Sequence, residues 1–161
     1  MASELEIWTE EKQAALLASM LKWHGTPHGN RVAIPGVCID CIHLLAEGFA
    51  AAGQIDRREF GGYDVAAGVH EPSERLERAI EAALQVEQVS PNEHLTGDIW
   101  VMQTGESSGH CGVVHGNDLW HSLAGRCVTK SRVGIWRNRV AKAYRLTATG
   151  YRQHPESANG G

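Results

Sequence analysis

Positive charge is scarce in this sequence. Its 15 Lys and Arg are outnumbered by 19 Asp and Glu, for a formal net charge of -4, and no basic run carries interleaved aromatics. Phosphate backbones are held by clustered Lys and Arg, so nucleic acid is not an expected partner. Long apolar runs are missing too: no window approaches the ~18 consecutive apolar residues of a membrane span. The first residues, Met1-Ala2-Ser3-Glu4-Leu5-Glu6, are acidic where a secretory leader would be basic and then apolar. The expectation is synthesis in the cytoplasm, with any export left to something other than an ordinary leader. Only four cysteines occur, Cys38, Cys41, Cys111 and Cys127, too few without a leader for a disulfide scaffold. Free thiols in catalytic, metal-binding or core roles are the better reading. No repeat, low-complexity block or glycine-rich phosphate loop appears, despite 18 glycines.

What is present is ordinary for one globular domain. The chain has 161 residues, 42% hydrophobic and 21% charged, enough for one real core and too few for two. Residues 1–151 are read as that domain and 152–161, with Pro155, Ser157 and Asn159, as a disordered tail. Periodicity predicts a helix from Thr9, its cap, to Trp23, with Leu17, Met20 and Leu21 as the apolar stripe. A breaker, His24-Gly25-Thr26-Pro27, follows. A second helix starts after the cap Asp40, with Ile42, Leu45, Ala46 and Phe49 at helical spacing and Gly53 as its stop. A third is expected from Glu71 to Val89, with Leu76, Ile80, Ala83 and Leu84 inward, its Glu and Arg residues forming a solvated face and Pro91 ending it. From Gly97 the rhythm changes to strands: Ile99–Met102, His110–Val114, Leu119–Ser122, one near Val128, and Val140–Leu146. Gly116-Asn117-Asp118 makes the turn between the second and third. Helices first and antiparallel strands after predict an α+β fold.

Cys41 follows the cap directly and so occupies the first turn of its helix. Unpaired N–H groups and the positive end of the helix dipole favour thiolate there, which is the nucleophilic form. The same N–H groups suit the oxyanion of a tetrahedral intermediate. The plainer reading is a small buried apolar residue. His110 opens a strand after the stretch Gly105-Glu106-Ser107-Ser108-Gly109, where a base can reach a helix start. His121, one hairpin away, is placed to bond the far nitrogen of His110 and fix its tautomer. With nine histidines in the chain, each one alone is more simply a surface or core residue.

Taken in order, Gly25-Thr26-Pro27, Ile39-Asp40-Cys41-Ile42, Gly97-Asp98-Ile99-Trp100-Val101, His110-Cys111-Gly112-Val113-Val114 and Trp120-His121-Ser122 resemble the NlpC/P60 cysteine peptidases, above all the short versions encoded by bacteriophages and tail-gene clusters. The resemblance runs from Leu16 to Arg145. It implies a papain-like core without cofactor or metal, cleaving peptidoglycan stem peptides, typically between D-glutamate and a diamino acid, with phage tail proteins as partners. By position Cys41 matches the family's nucleophile, His110 its base and His121 its third polar residue. His28, Asp40 and Trp120 fall where substrate contacts are expected, and Trp100, Trp120 and Trp136 are candidates to line a groove. Two positions depart from the pattern: the family usually has tyrosine where His28 stands, and a Ser-Gly pair where Ile42-His43 stands.

Rival readings attach to the same residues. Cys38 and Cys41 form a C-x-x-C, the dithiol spacing of thioredoxin-like oxidoreductases, although no strand pattern precedes Cys38. Cys38, Cys41, His110 and Cys111 have the ligand types of a zinc site, but neighbours on a strand point to opposite faces, which separates the last two. A third rival keeps the fold as an inactive structural or binding part of a phage tail. Asp40 reads as a cap and Asp98 as a residue ordering the start of the sheet.

Overall fold

The computed structural model describes residues 7–29, 33–34, 36, 38–56, 75–104, 107–123 and 125–152. Helix α1 spans Glu10–Trp23, capped by Thr9, whose hydroxyl accepts from the Lys12 N–H. Its buried stripe is Leu16, Met20 and Trp23, whereas Leu21 is 57% exposed. The sequence placed Leu21 inside; the stripe lies one position round the helix because Leu16 and Met20 meet α2 where Gly48 leaves room. A Cβ at Gly48 would strike the tips of both.

Two short strands, β1 (Ala33–Ile34) and β2 (Cys38–Ile39), pair as a hairpin just before α2 (Cys41–Ala51). A strand, β1, therefore does precede Cys38, contrary to the sequence reading, but it belongs to a two-residue antiparallel hairpin and not to a βαβ unit. Helix α3 is Arg75–Ala83, and β3 (Leu84–Val89) follows without a break. The expected helix to Val89 is thus half strand; its start at 71–74 lies outside the described residues. The switch is set by pairing: Val86 faces Leu146 and Val89 faces Ala143 across the sheet. Hydrogen bonds to a neighbouring strand outweigh the weak helical preference of a segment with two β-branched valines. Glu77 is buried, not on the solvated face expected of it.

Strands β4 (Ile99–Thr104), β5 (Ser107–His115), β6 (Asp118–Ser122) and β7 (Val128–Arg132) lead to a short helix α4 (Val133–Trp136) and a long strand β8 (Val140–Tyr151). The main sheet runs β3-β8-β4-β5-β6-β7, each neighbouring pair antiparallel. The α+β architecture expected from the sequence is the one observed. The β5–β6 turn uses Gly116 at φ 61°, a conformation open to glycine at little cost. Arg152, assigned to the tail, still donates its N–H to the Ala83 carbonyl at 2.8 Å; the rest of the expected tail, 153–161, lies outside the described residues.

The sheet divides the core in two. One face, with Ile99, Val101, Cys111, Val113 and Trp120, packs under α1, α2 and α3. The other, with Trp100, Met102, Val114, Leu119 and Ala143, is covered by Val133 and Trp136 of α4. Alternation along each strand assigns successive residues to the two faces. Where β4 begins, Asp98 is fully buried and bonds Arg145 at 2.8 and 2.9 Å while accepting the Leu95 N–H at 2.9 Å. Gly97 beside it has φ 97° and lies under the Trp8 ring, with no space for a Cβ. Arg145→Leu should strand the Asp98 carboxylate and destabilise the protein by ~3 kcal/mol or more, read as a lower urea midpoint; a change below about 1 kcal/mol would show that the pair orders nothing.

Candidate active site

The chain enters α2 through Asp40, whose extended backbone (φ -94°, ψ 174°) and Oδ1 cap the helix by accepting the His43 N–H at 2.8 Å. This puts Cys41 on the first turn, half-buried, with its sulfur against β5. The Cys111 side chain first, and then the His110 ring, hold the Cys41 pKa well below that of an ordinary thiol, against the opposing effect of burial. The unpaired N–H groups of the helix start act in the same direction. Cys111 moves the other way: donating to Cys41, being buried, and facing its charge all keep the Cys111 thiol protonated.

His110 and His121 are brought together by strand register. Gly112 pairs with His121, so His110, two residues back on the same face, sits diagonal to it. His110 Nε2 lies 2.8 Å from His121 Nδ1, so His110 Nδ1 is the ring nitrogen not engaged with His121. His121 is fully buried, and burial, then the neighbouring His110, push its pKa down to about 3. It therefore stays neutral at ordinary pH and can accept a proton-bearing nitrogen from its neighbour. Its other nitrogen, Nε2, is 2.9 Å from Ser131 Oγ. The network assigns the tautomer: if His110 donates through Nε2–H, His121 accepts at Nδ1, carries its proton on Nε2, and donates to Ser131. The Trp136 ring lies over the pair, its centroid 5.7 Å from His110 and 5.2 Å from His121.

The other expected contacts divide. Asp40 caps the helix and also holds the His43 ring through Nδ1 at 2.7 Å, the two side chains being 14% and 29% exposed. That bond, despite partial burial, raises the His43 pKa, and the Cys41 charge adds to it. His43 is thus a second titrating group beside the cysteine, turned back onto Asp40. His28 Nδ1 lies 3.0 Å from Ser122 Oγ, which itself donates to the Ile39 carbonyl at 2.8 Å. His28 therefore donates, and the chain of bonds ties the loop before β1 to β6 and to the segment entering α2. Trp120 is only 2% exposed and Trp100 is fully buried. Both are core residues, so the aromatic groove expected of them is corrected: each ring points into a face of the sheet that a helix covers.

Three neighbours had no role beside Cys41 in the sequence reading. Cys111 is weighed there only as a candidate zinc ligand, yet it and His110 both lower the Cys41 pKa. Ser131 depends on the β6–β7 register, which pairs Leu119 with Ser131 and His121 with Thr129 and which no local signal announces. Ser122 carried only its place after His121. Among the described residues, no group of three or more His, Cys, Asp or Glu side chains is arranged to hold a metal ion. A concavity of ≈ 640 Å³ lined by Ala50, Gly53, Gln54 and Gly150 lies at the far end of α2 from Cys41.

No family model and no curated protein matches the sequence. The fold is similar to that of a lipoprotein-like protein of the NLP/P60 family from Staphylococcus aureus, with a TM-score of 0.57 at 18% identity. The likeness covers 86% of this chain and 42% of that one, so the chain spans less than half that protein's length. It shows an α+β fold of the NlpC/P60 type.

Two outcomes follow from the geometry. Ser131→Ala removes the acceptor that holds the His121 tautomer, and the Cys41 alkylation rate at about pH 6 should fall by roughly threefold to tenfold, the worth of one hydrogen bond; Ser131→Thr should restore it. An unchanged rate-against-pH profile in the alanine variant would remove Ser131 from the chain. The raised pKa of His43 stabilises the fold fully below the unfolded value of about 6.5 and ceases to do so as pH rises through the folded value. His43→Gln should accordingly cost more at about pH 5.5 than at about pH 8.5, by less than ~1 kcal/mol for a partly exposed pair, in paired denaturation curves.

Proposed function

We propose that this chain is a cysteine peptidase acting on the stem peptides of peptidoglycan. The observation that carries the reading is a hydrogen-bonded histidine pair beside a cysteine on a capped helix start: His110, which lowers the Cys41 pKa, is bonded at 2.8 Å to a buried neutral His121. In this reading the Cys41 thiolate attacks an amide carbonyl, forming a tetrahedral intermediate whose oxyanion is held by the Cys41 N–H and a neighbouring N–H. His110, as imidazolium, gives its Nδ1 proton to the leaving amine, and the C–N bond breaks. His110 then takes a proton from water, which attacks the thioester and releases the acid. His121 accepts from His110 Nε2–H throughout and stabilises the imidazolium without becoming charged, the role of the third member in such sets.

The substrate class comes from the resemblance of the ordered motifs and the likeness of the fold to an NLP/P60 protein. It extends to the bond between D-glutamate and a diamino acid, and to phage tail proteins as partners. The C-x-x-C alternative loses support from the geometry, since the Cys38 side chain packs on Gly29, where a Cβ would stand 2.8 Å from its sulfur. Digestion of purified peptidoglycan, followed by mass spectrometry of the muropeptides, should show stems cut after D-glutamate. Cys41→Ala should abolish the cut, and His110→Ala should lower its rate by at least ~100-fold. Undiminished hydrolysis by Cys41→Ala would sink the mechanism.

A further inference from the structure

The peptidase mechanism gives His28 no step, although its ring joins the segment entering α2 to the strand that carries His121. Its backbone is held on two sides. The His28 N–H donates to the Arg126 carbonyl at 2.9 Å, and His28 pairs with Ile39 in an isolated parallel bridge. Around that bridge the Ile39 N–H reaches the Pro27 carbonyl at 2.9 Å and the Gly29 N–H reaches the Ile39 carbonyl at 3.2 Å. Ile39 stands two residues before Cys41. The ring meets Ser122, the fully buried residue that follows His121. Ser122 lies two places from Trp120 on β6, so strand alternation puts its side chain on the sheet face under α2.

These bonds fix the place of the imidazole proton. A carbonyl oxygen only accepts, so the single Ser122 hydroxyl proton goes to the Ile39 carbonyl at 2.8 Å. Ser122 Oγ is then an acceptor toward His28, and His28 Nδ1, 3.0 Å away, carries the proton. In the neutral ring Nε2 is left with a lone pair and no proton. Among the described residues Nε2 meets no partner, and the residue is partly exposed. A buried serine behind the ring makes its free side an acceptor.

We propose that His28 is a specificity-determining residue whose Nε2 accepts a hydrogen bond from an N–H group of the bound peptide, with Ser122 as the positioning residue that keeps it an acceptor. The substrate contact rests on the reading of the site as a peptidase; the state of the ring does not. The neutral ring has no proton at Nε2 to offer an oxyanion, so its part lies in holding the peptide. A stem peptide supplies matching donors in its amide N–H groups and in the free amine of its diamino acid. An ester or an N-methylated amide at the contacted place brings no proton and leaves Nε2 unpaired.

Two measurements on the whole chain test this. The first is the long-range proton–nitrogen correlation spectrum of the imidazoles at about pH 8, where a free imidazole is neutral. His28 should show the Nδ1–H tautomer, and Ser122→Ala should move it toward Nε2–H. An Nε2–H ring in the wild-type chain overturns the proposal. The second is calorimetric affinity for a synthetic stem peptide containing the D-glutamate–diamino acid bond, in the Cys41→Ala background so that no turnover intervenes. Each N–H is replaced in turn, an amide by its N-methyl form and the amine by trimethylammonium. One replacement should weaken binding roughly threefold to tenfold, the worth of one hydrogen bond, and the one that does so tells amide from amine. The same replacement should cost nothing further in His28→Asn, which keeps a donor for Ser122 and has no atom at Nε2. His28→Gln, whose carboxamide oxygen reaches the Nε2 position, should regain part of the affinity. Equal losses in His28→Asn and in the parent chain for every replacement overturn the proposal while the peptide still binds. A chain that binds no stem peptide overturns the proposed function and the substrate contact with it, and the tautomer spectrum then tells whether Ser122 sets the ring.

Discussion

Everything chemical in this protein depends on how the first turn of α2 is seated against the backbone of β5. The seat is made from both sides. On the helix side, the Asp40 cap fixes where the first turn begins, so that Cys41 and not a neighbour faces the sheet. On the sheet side, Cys111 and His110 both draw the Cys41 thiol toward thiolate. A buried thiol in apolar surroundings would hold its proton; these neighbours and the helix start reverse that preference. Shifting β5 by one residue would exchange the faces of His110 and Cys111 and undo the arrangement.

The rest of the fold holds that seat still. β5 is paired on both sides, by β4 and β6, so its register is set by two ladders. The start of β4 is pinned by the buried Asp98–Arg145 pair and by Gly97 under Trp8. On the helix side, α1 closes on α2 at Gly48, and the His28–Ser122–Ile39 chain ties the approach to α2 onto β6. His28 therefore has a structural role: its imidazole is engaged with Ser122, inside the frame that holds the approach to α2.

Polar groups around the site are arranged in opposing pairs. Burial drives His121 to the neutral form while the Asp40 bond pushes His43 toward the charged one. Cys41 is drawn toward thiolate while Cys111 is kept a thiol. Each shift has its own local cause, Asp40 for His43 and burial for His121, which is how titrating groups near one site acquire separate roles.

Local pattern alone determined much of this. The Thr9 and Asp40 caps, α1, α2, the β5–β6 turn and the α+β order were legible because capping, periodicity and turn chemistry act over a few residues. Cys41 stood out by its place after the cap, whereas the roles of His110 and His121 came from the resemblance of the ordered motifs. What pattern could not reach is whatever depends on residues far apart in the chain. The switch from α3 to β3 at Leu84 comes from pairing with β8, some sixty residues on. The burial of Trp120 and Glu77 follows from which helices cover which face. The Ser131 contact follows from β6–β7 register, which joins His121 to a residue ten positions on. Sequence spacing places side chains on one segment; only packing decides which of them meet.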